Sequence, residues 1–595
     1  MIREFLKLRN ILLAFPFLFS LSAGAATPPA ITSASAASGT VGTSFFYQTT
    51  VANEQFISLD PTHSFLINTA TGRPQFCAGE DGFDLIVELS NAEVETYLSD
   101  RASRGINCIW VALVDNTYQT NAPEDYYGNV PFDGADFTNE DPAYWTHVDY
   151  VLGRMAAYGI TAFASPAFVG DSPSGGYYTS YQDSSAATLT AYGAWLGSRY
   201  LNTPNLVWVM GGDTLPSFYS GVADIAAGIR SVDGVHLITM EGTAQADSSA
   251  TQSSSGYAYC TPTCASWLNV DWTYNQYQSV QAGCSYNAAT YPLPNLLGET
   301  WYEGEHGLSE LQVREEGYWG ILSGCPLGNL FGNNAIWSMG GPYDTMGATW
   351  QSQLGSPGSV AQAWEGAVFR SREFWKMQAD VNNNYLTGGY GSGTSISVLS
   401  RSSDGQTMIA YIPNGNATTV TIDMAGIVSN ASTAQGWWFN PQTGAVTNPG
   451  TFSTSGSQSF TPPDGNDWVL VLDDAAARLP APGSKVFETG TSATTFAATG
   501  LPAGLSINSE TGLISGTPTE AGIAEATLSA TNSVETCKAG LTLTIAAAPL
   551  TPGGRRTAIS GRKPAGPKAP ATPEQASCSP VSGSTPPGTA NPLVR

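Results

Sequence analysis

The stretch "NLVWVMGGD" (205–213) runs five apolar residues into two glycines and an aspartate, and "PNLLGE" (294–299) ends a shorter apolar run on Gly298 and Glu299. Short continuous apolar runs bounded by turn residues read as strands buried on both faces. Each of these two delivers a carboxylate, Asp213 or Glu299, to its C-terminal end. Six more runs of this kind accompany them: "FCAGE" (76–80), "INCIWVALV" (106–114), "ITAFASPAF" (160–168), "VHLITME" (235–241), "WLNVDW" (267–272) and "NAIWSM" (334–339). Helical patterns lie between them. Ser90 and Glu93 form a capping box ahead of Val94, Tyr97 and Leu98. Asp141 precedes Pro142 at a first helical position; Trp145, Val148, Val151, Leu152 and Met155 then make one stripe, which Gly159 ends. Similar patterns fill 187–200, 218–231, 308–323 and 359–378. Eight strands alternating with helices predict an α/β fold, a closed (β/α)8 TIM barrel over residues 54–380. A doubly wound open sheet is the alternative, but no Gly-rich phosphate loop follows the first strand.

At 595 residues the chain is too long for one core, so a multidomain protein is expected. Helical patterns stop near 380. Residues 381–476 hold short alternating strands, among them "TSISVLSR", "TMIAYIPN", "TTVTIDM" and "DWVLVLD", which predict an all-β sandwich. Residues 27–53 and 485–547 are strand-and-turn segments rich in Ser and Thr. The Pro-, Gly- and Ala-rich tail, 548–595, predicts disorder.

Charged residues make up only 12% of the chain, and 23 basic residues face 48 acidic ones. With no basic field to hold phosphates, nucleic acid is excluded as a partner. Arg3, Lys7 and Arg9 precede an apolar run from Ile11 to Leu21 and the small residues Ala23 to Ala26. Residues 1–26 therefore read as a signal peptide, giving a secreted, periplasmic or cell-surface protein with no membrane association beyond export. The eight cysteines include Cys260 and Cys264, which could pair with each other or with Cys284; Cys77 and Cys108 fall in strand-like runs and read equally as buried thiols. No Cys/His spacing suggests zinc, and neither a metal nor another cofactor is expected. Calcium held by some of the rim acids is the one alternative, although no Asp/Asn loop has a calcium spacing.

Active sites of such barrels lie at the C-terminal ends of the strands. Those ends carry Glu80 and Asp81, Asp115 and Asn116, Asp213, Glu241, Asp271, and Glu299, with Glu303 and Glu305 just beyond. Glycoside cleavage needs one acid to protonate the leaving oxygen and one carboxylate at the anomeric carbon. Asp213 and Glu299, on the fourth and seventh strands, face each other across a barrel mouth. They are the catalytic candidates. Glu80, Asp81, Asn116, Glu241, Asp271, Trp272, Tyr274, Trp301, Tyr302, Asn333 and Trp337 are the candidate substrate contacts, whereas Trp110 and Trp208 read as core. A non-catalytic carbohydrate-binding or adhesive protein on the same scaffold is the alternative. Proteolysis has no His-Glu-x-x-His motif to support it.

Residues 57–380 resemble the apiosidase-like glycoside hydrolases in the segments "DRASRGINCIWV", "DPAYWTHVDYVLGRMAAYGI", "YGAWLGSRYLNTPNLVWVMGGD", "NQYQSV", "LLGETWYEGE" and "REEGYWGILSGCPLGNLFGNNAIWSM". The resemblance implies a carbohydrate substrate, with Asp213 as acid/base and Glu299 as nucleophile; Glu303 is the alternative nucleophile. The family's Gly-Asp-Thr-Ala-Trp-like stretch is replaced here by "AGEDGFD" (78–84), which alters the substrate subsite. Residues 384–474, with "GWWFNPQTGAV" and "PPDGNDWVLVLD", resemble the β-sandwich named for collagen binding in collagenases. "LPAGLSINSETGLISGTPTEAG" resembles a bacterial Ig-like domain, whose usual opening is like "PAITSASAASGTVGTSFFYQTTVAN" at 29–53. That order implies an Ig-like sandwich split by insertion of the barrel and the second sandwich. A degenerate N-terminal arm with a truncated C-terminal repeat is the alternative.

Overall fold

The computed structural model describes residues 57–242 except 70–71, 173 and 214–218; 252–253; 266–484 except 291–292, 414–418 and 431; 495–547 except 508, 510–512 and 532–534; and the segments 30–31, 36–41, 45–48, 51–52 and 577–580. The signal-peptide reading and Cys260 and Cys264 fall outside the described residues.

Eight parallel strands build the central sheet: β1 (Cys77–Asp81), β2 (Cys108–Ala112), β3 (Thr161–Ser165), β4 (Leu206–Gly211), β5 (Leu237–Glu241), β6 (Asp271–Tyr274), β7 (Asn295–Glu299) and β8 (Gly328–Phe331). Their hydrogen-bonded order is β5-β4-β3-β2-β1-β8-β7-β6. The ring closes between β5 and β6 through Asn269 N–H to the Ile238 carbonyl (2.9 Å) and Thr239 Oγ1 to the Val270 carbonyl (2.8 Å). Helices α1 (Asn91–Ser103), α2 (Pro142–Ala157), α3 (Ala186–Tyr200), α4 (Tyr219–Val232), α5 (Val280–Thr290), α6 (Glu310–Ser323) and α7 (Pro357–Arg370) surround it. Among the described residues no helix lies between β5 and β6.

Local signals start these helices. Ser90 and Glu93 form the complete capping box of α1, and Asp141 with Pro142 opens α2. Alternation along the strands sorts the core. Val207 and Val209 of β4 point into the barrel with Trp110, Phe163, Trp272 and Leu296. Leu206, Trp208 and Met210 point outward beneath the helices. Both tryptophans read as core, Trp110 and Trp208, are buried. Cys77, Cys108, Cys284 and Cys325 are buried, and none of them is in a disulfide.

Two strands are not where their sequence puts them: β6 starts at Asp271, four residues after the start of "WLNVDW" (267–272), and the eighth moves altogether. "NAIWSM" (334–339) is a turn: Asn333 accepts from the Ala335 amide through Oδ1 and from the Ile336 and Trp337 amides through its carbonyl. The eighth strand is the preceding "GNLF" (328–331), paired with β1 from Gly328↔Cys77 to Phe331↔Glu80. Gly and Asn are weak strand formers, so the pairing is decided by β1 and β7 on either side.

Behind the barrel, a six-stranded antiparallel sheet runs in the order Met377–Ala379, Val398–Ser402, Thr407–Ile412, Trp468–Asp474, Thr433–Phe439, Val446–Ser453. One face packs on the three-stranded sheet of Leu386–Gly388, Val420–Asp423 and Ser457–Phe460. The other face, with Ile409, Tyr411, Val469 and Val471, shares a core with Tyr318 and Trp319 of α6 and Phe369 of α7. Two buried ion pairs cross this interface: Arg314 Nε to Asp467 (2.8 Å) and Arg372 Nη2 to Asp473 (2.7 Å). A further sandwich uses both ends of the chain. Ala36–Thr40 runs parallel to Glu535–Ala546, and Phe45–Gln48 pairs antiparallel with Leu513–Gly516. Ser577–Pro580, inside the Pro-rich tail, adds a strand beside Glu535–Ala546. No helix among the described residues is long and apolar enough to cross a membrane.

The ion pairs make a prediction. Arg314→Met leaves Asp467 charged, buried and short of its main partner, which costs about 3–5 kcal/mol. Arg199→Ala, which breaks the partly exposed pair with Asp149, costs under about 1 kcal/mol. Urea unfolding of the two variants checks both values, and equal losses would contradict a load shared across the interface.

Candidate active site

Three strand ends bring three acids together. β4 ends on two glycines before Asp213. Gly211 sits at φ +90°, and a Cβ on it would strike the Glu241 carbonyl. A Cβ on Gly212 would stand 2.7 Å from the Val169 amide nitrogen. The backbone therefore turns sharply out of the strand, and Asp213 lies partly exposed at the barrel mouth. Glu241 ends β5 on the inward side, with 1% of its surface exposed.

Glu299 needs a defect in its strand. Leu296 faces the barrel and Leu297 the helices, so strict alternation would turn Glu299 outward. The ladder between β6 and β7 shifts instead: Thr273 pairs with Leu297, but Tyr274 pairs with Glu299, leaving Gly298 as an extra residue. This bulge re-aims Glu299 into the mouth. A glycine is required because a Cβ at 298 would fall on the Trp272 indole. One carboxyl oxygen from each of Asp213, Glu241 and Glu299 lies within 4.8 Å of the other two.

Hydroxyls and a fourth acid complete the cluster. Tyr274 hydrogen-bonds to Asp213, in whose own carboxyl burial, partly offset by that bond, raises the pKa to about 6. The Tyr302 hydroxyl touches Asp81 Oδ2 and lies 2.8 Å from Glu299 Oε1. One phenol proton cannot serve two carboxylates, so a second proton is held in this group. Burial raises Asp81 to about 7, against the hydrogen bond from Tyr302. Burial first, then the neighbouring acids, also lift Glu241 and Glu299 well above the ordinary carboxyl range. No donor N–H or hydroxyl reaches either oxygen of Glu241. Glu241 and Glu299 lie side by side as a coupled pair, in which a hydrogen bond between them needs one of the two to carry a proton. Asp213, Glu241 and Glu299 are also the one group among the described residues whose oxygens converge closely enough to hold a cation.

Beside the cluster stands an aromatic wall. Trp337, half-buried, lies 6.5 Å from Tyr302, 6.2 Å from Tyr118 and 6.5 Å from the exposed Tyr343. Trp272 lines the floor, 5.1 Å from Trp110. Tyr118, Tyr343 and Asp171, which hydrogen-bonds the Tyr118 hydroxyl at 3.0 Å, belong to this rim. The sequence signal for them is only their place in loops that leave the strands.

Other candidates stand elsewhere. Glu80 alternates outward from Asp81 and is buried against Arg101 (2.7 Å) and the Tyr97 hydroxyl (2.5 Å), so it does not line the mouth. Glu303 is tied by Ser356 Oγ (2.6 Å), the Gly358 amide (2.9 Å) and Asn333 Nδ2 (2.9 Å) at the start of α7. Glu303 and Asn333 therefore anchor that helix, and Glu303 is not free to attack a substrate. Asp271 opens β6, level with Asn295, at the end of the barrel opposite the acids. Trp301 packs 4.5 Å from His306 in the loop after β7. Asn116, half-buried after β2, accepts from the Thr117 hydroxyl (2.9 Å).

A barrel carrying a sandwich behind it agrees with the comparisons. The family model "Apiosidase-like, catalytic domain" matches residues 61–376, just over half of the chain. The chain belongs to the apiosidase-like family. It is a glycoside hydrolase. The apiosidase-like domain is followed by matches to "Putative collagen-binding domain of a collagenase" at 389–473 and "Putative Ig domain" at 472–546. A solved structure described as a glycoside hydrolase is similar at TM-score 0.61 and 22% identity, over 71% of this chain and 98% of that one. A glycoside hydrolase family 5 structure from Bacteroides vulgatus ATCC 8482 is similar at TM-score 0.61 and 21% identity, over 71% and 93%. Comparison with curated protein sequences returned no match.

Two predictions follow from this geometry. Gly298→Ala forces the Trp272 ring or the bulge to move, and it should cost about 1–3 kcal/mol by urea unfolding together with most of the activity; a fully active variant would show that the bulge does not aim Glu299. Asp81, Asp213, Glu241 and Glu299 all bind protons more tightly folded than unfolded. Stability should therefore fall as pH rises above the ordinary carboxyl range, where only the unfolded chain releases its protons freely. Glu241→Gln removes one such group, so its melting temperature should exceed wild type by about 2 °C or more at pH 7.5, the gap closing toward pH 4. A lower melting temperature at pH 7.5 would contradict the raised proton affinity of Glu241.

Proposed function

We propose that the barrel cleaves glycosidic bonds of a plant or microbial polysaccharide with retention of anomeric configuration. The observation that carries this reading is the approach of Asp213 and Glu299 oxygens to within 4.8 Å across the barrel mouth. That spacing favours the retaining arrangement of about 5–5.5 Å over the about 6.5–9.5 Å that an interposed water needs.

In the first step Glu299 attacks the anomeric carbon while Asp213 gives its proton to the departing glycosidic oxygen. The carbon–oxygen bond breaks and a glycosyl ester on Glu299 forms. Asp213, now a carboxylate, takes a proton from water, which attacks the same carbon and releases the sugar and Glu299. The partly exposed Asp213 can reach a leaving group, and its pKa of about 6 keeps it protonated in mildly acidic medium. Glu241 and Tyr302 hold Glu299 by hydrogen bonds. The basic, apolar and small-residue order of residues 1–26 supports action outside the cytoplasm.

Asp213→Asn and Glu299→Gln should each lower kcat by about 10²–10⁴-fold with unchanged circular dichroism. The screen is a panel of aryl glycosides and hemicellulosic, pectic and bacterial polysaccharides. Proton NMR should show the retained anomer first, and kcat/KM should decline above about pH 6 as Asp213 loses its proton. Full activity in either variant, or first release of the inverted anomer, would refute the assignment; loss of activity in EDTA would point to a cation on the three acids.

A further inference from the structure

Asp84 closes the segment "AGEDGFD" (78–84) and is completely buried. Among the described residues no N–H or hydroxyl reaches either of its carboxyl oxygens. Its side chain meets the carboxyl of Asp115, just beyond β2. A hydrogen bond between two carboxyl groups needs one proton, and the surroundings say where it sits. Both oxygens of Asp115 already accept main-chain amides, Oδ1 from Thr117 and Oδ2 from Tyr118, each at 2.9 Å. Such bonds stabilise the charged form of the group that accepts them. Asp115 is therefore the carboxylate, and Asp84 is satisfied by donating its own proton. Burial first, then Asp115 and Glu88, hold Asp84 well above the ordinary carboxyl range, in keeping with that assignment.

The pair lies under the aromatic wall and ties its two sides together. The Asp84 amide donates to the Trp337 carbonyl (2.9 Å), and Asp115 holds the turn that carries Tyr118. One turn after Asp84, Glu88 accepts from the Thr120 amide and grips the same turn again. The Tyr118 ring lies 6.2 Å from Trp337 and 5.3 Å from Tyr343. Phe83 fills the space beneath, 6.5 Å from Tyr118 and 4.9 Å from Phe168. We propose that Asp84 is a positioning residue: a neutral carboxyl that donates to Asp115 and so locks Tyr118 beside Trp337, in the shape against which a sugar ring stacks. The sugar-stacking part rests on the hydrolytic reading above; the lock does not.

The test uses the full chain and three variants. Asp84→Asn keeps the size of the side chain and an N–H that can donate to Asp115. Asp84→Ala removes the donor. Asp115→Asn leaves one acceptor oxygen where two amides need one each. Hydroxyl-radical footprinting, read by mass spectrometry against the exposed Tyr286 as internal reference, needs no ligand. Asp84→Asn should label Tyr118 and Trp337 as wild type does. Asp84→Ala and Asp115→Asn should each raise labelling of Tyr118 at least about threefold, as local opening around an unpaired buried group predicts. On the substrate of the panel that wild type cleaves fastest, Asp84→Ala should raise KM about tenfold with kcat within about twofold, and Asp84→Asn should restore KM. In a Trp337→Ala background the Asp84 variants should no longer differ in KM, because the wall is already lost. Equal labelling in all variants, or tolerance of Asp115→Asn but not of Asp84→Asn, overturns the proposal. So does the expected labelling with an unchanged KM, which would make the pair part of the fold alone. If wild type cleaves nothing in the panel, the hydrolytic reading fails and labelling decides the lock by itself. If Asp84→Ala does not fold, the contrast between Asp84→Asn and Asp115→Asn decides it.

Discussion

Four carboxyl groups, Asp81, Asp213, Glu241 and Glu299, share one largely dry barrel mouth, and they cannot all be ionised there. The rest of the site is arranged around that constraint. Tyr302 spans Asp81 and Glu299, Tyr274 holds Asp213, and Glu241 lies against Glu299, its proton affinity raised by burial and by that neighbour. The outcome is a division of labour among chemically identical groups. Their environments differ: Asp213, partly exposed, loses its proton near pH 6, and Glu299 takes a hydrogen bond from Tyr302 that offsets part of the burial raising its pKa. Such a cluster destabilises the fold, as functional sites commonly do.

Stability is supplied from elsewhere. The sandwich behind the barrel buries a second face of its large sheet against α6 and α7, so the two domains share one hydrophobic core. Asp467 collects Arg314, the Tyr411 hydroxyl and Gln442, and Asp473 collects Arg372, the Thr407 hydroxyl and Trp437. Each buried charge is thus paired and hydrogen-bonded, the condition under which such pairs persist in an interior.

Much of the barrel was legible because its signals are local. The apolar runs, the capping box at Ser90 and the Asp141–Pro142 start all carry their meaning within a few residues. Runs that depend on partners were harder. "NAIWSM" has the composition of a strand, yet Asn333 folds it into a turn, and the Gly- and Asn-bearing "GNLF" is held as a strand by its neighbours. Acids at strand ends were found readily, but their directions were not. Glu80 and Asp81 are adjacent in sequence and face opposite sides of one strand, one toward Arg101 and the other toward Tyr302. Glu303 lies in a motif shared with Glu299 and serves the start of α7 instead.

Sequence alone determined which acids stand at the strand ends, because that is a matter of order along the chain. Tertiary structure alone decided which acids meet. Register, a one-residue bulge at Gly298 and the left-handed turn at Gly211 set where Glu299 and Asp213 point. Those are relations between strands distant in sequence, and a side chain on a strand changes face with a shift of a single residue.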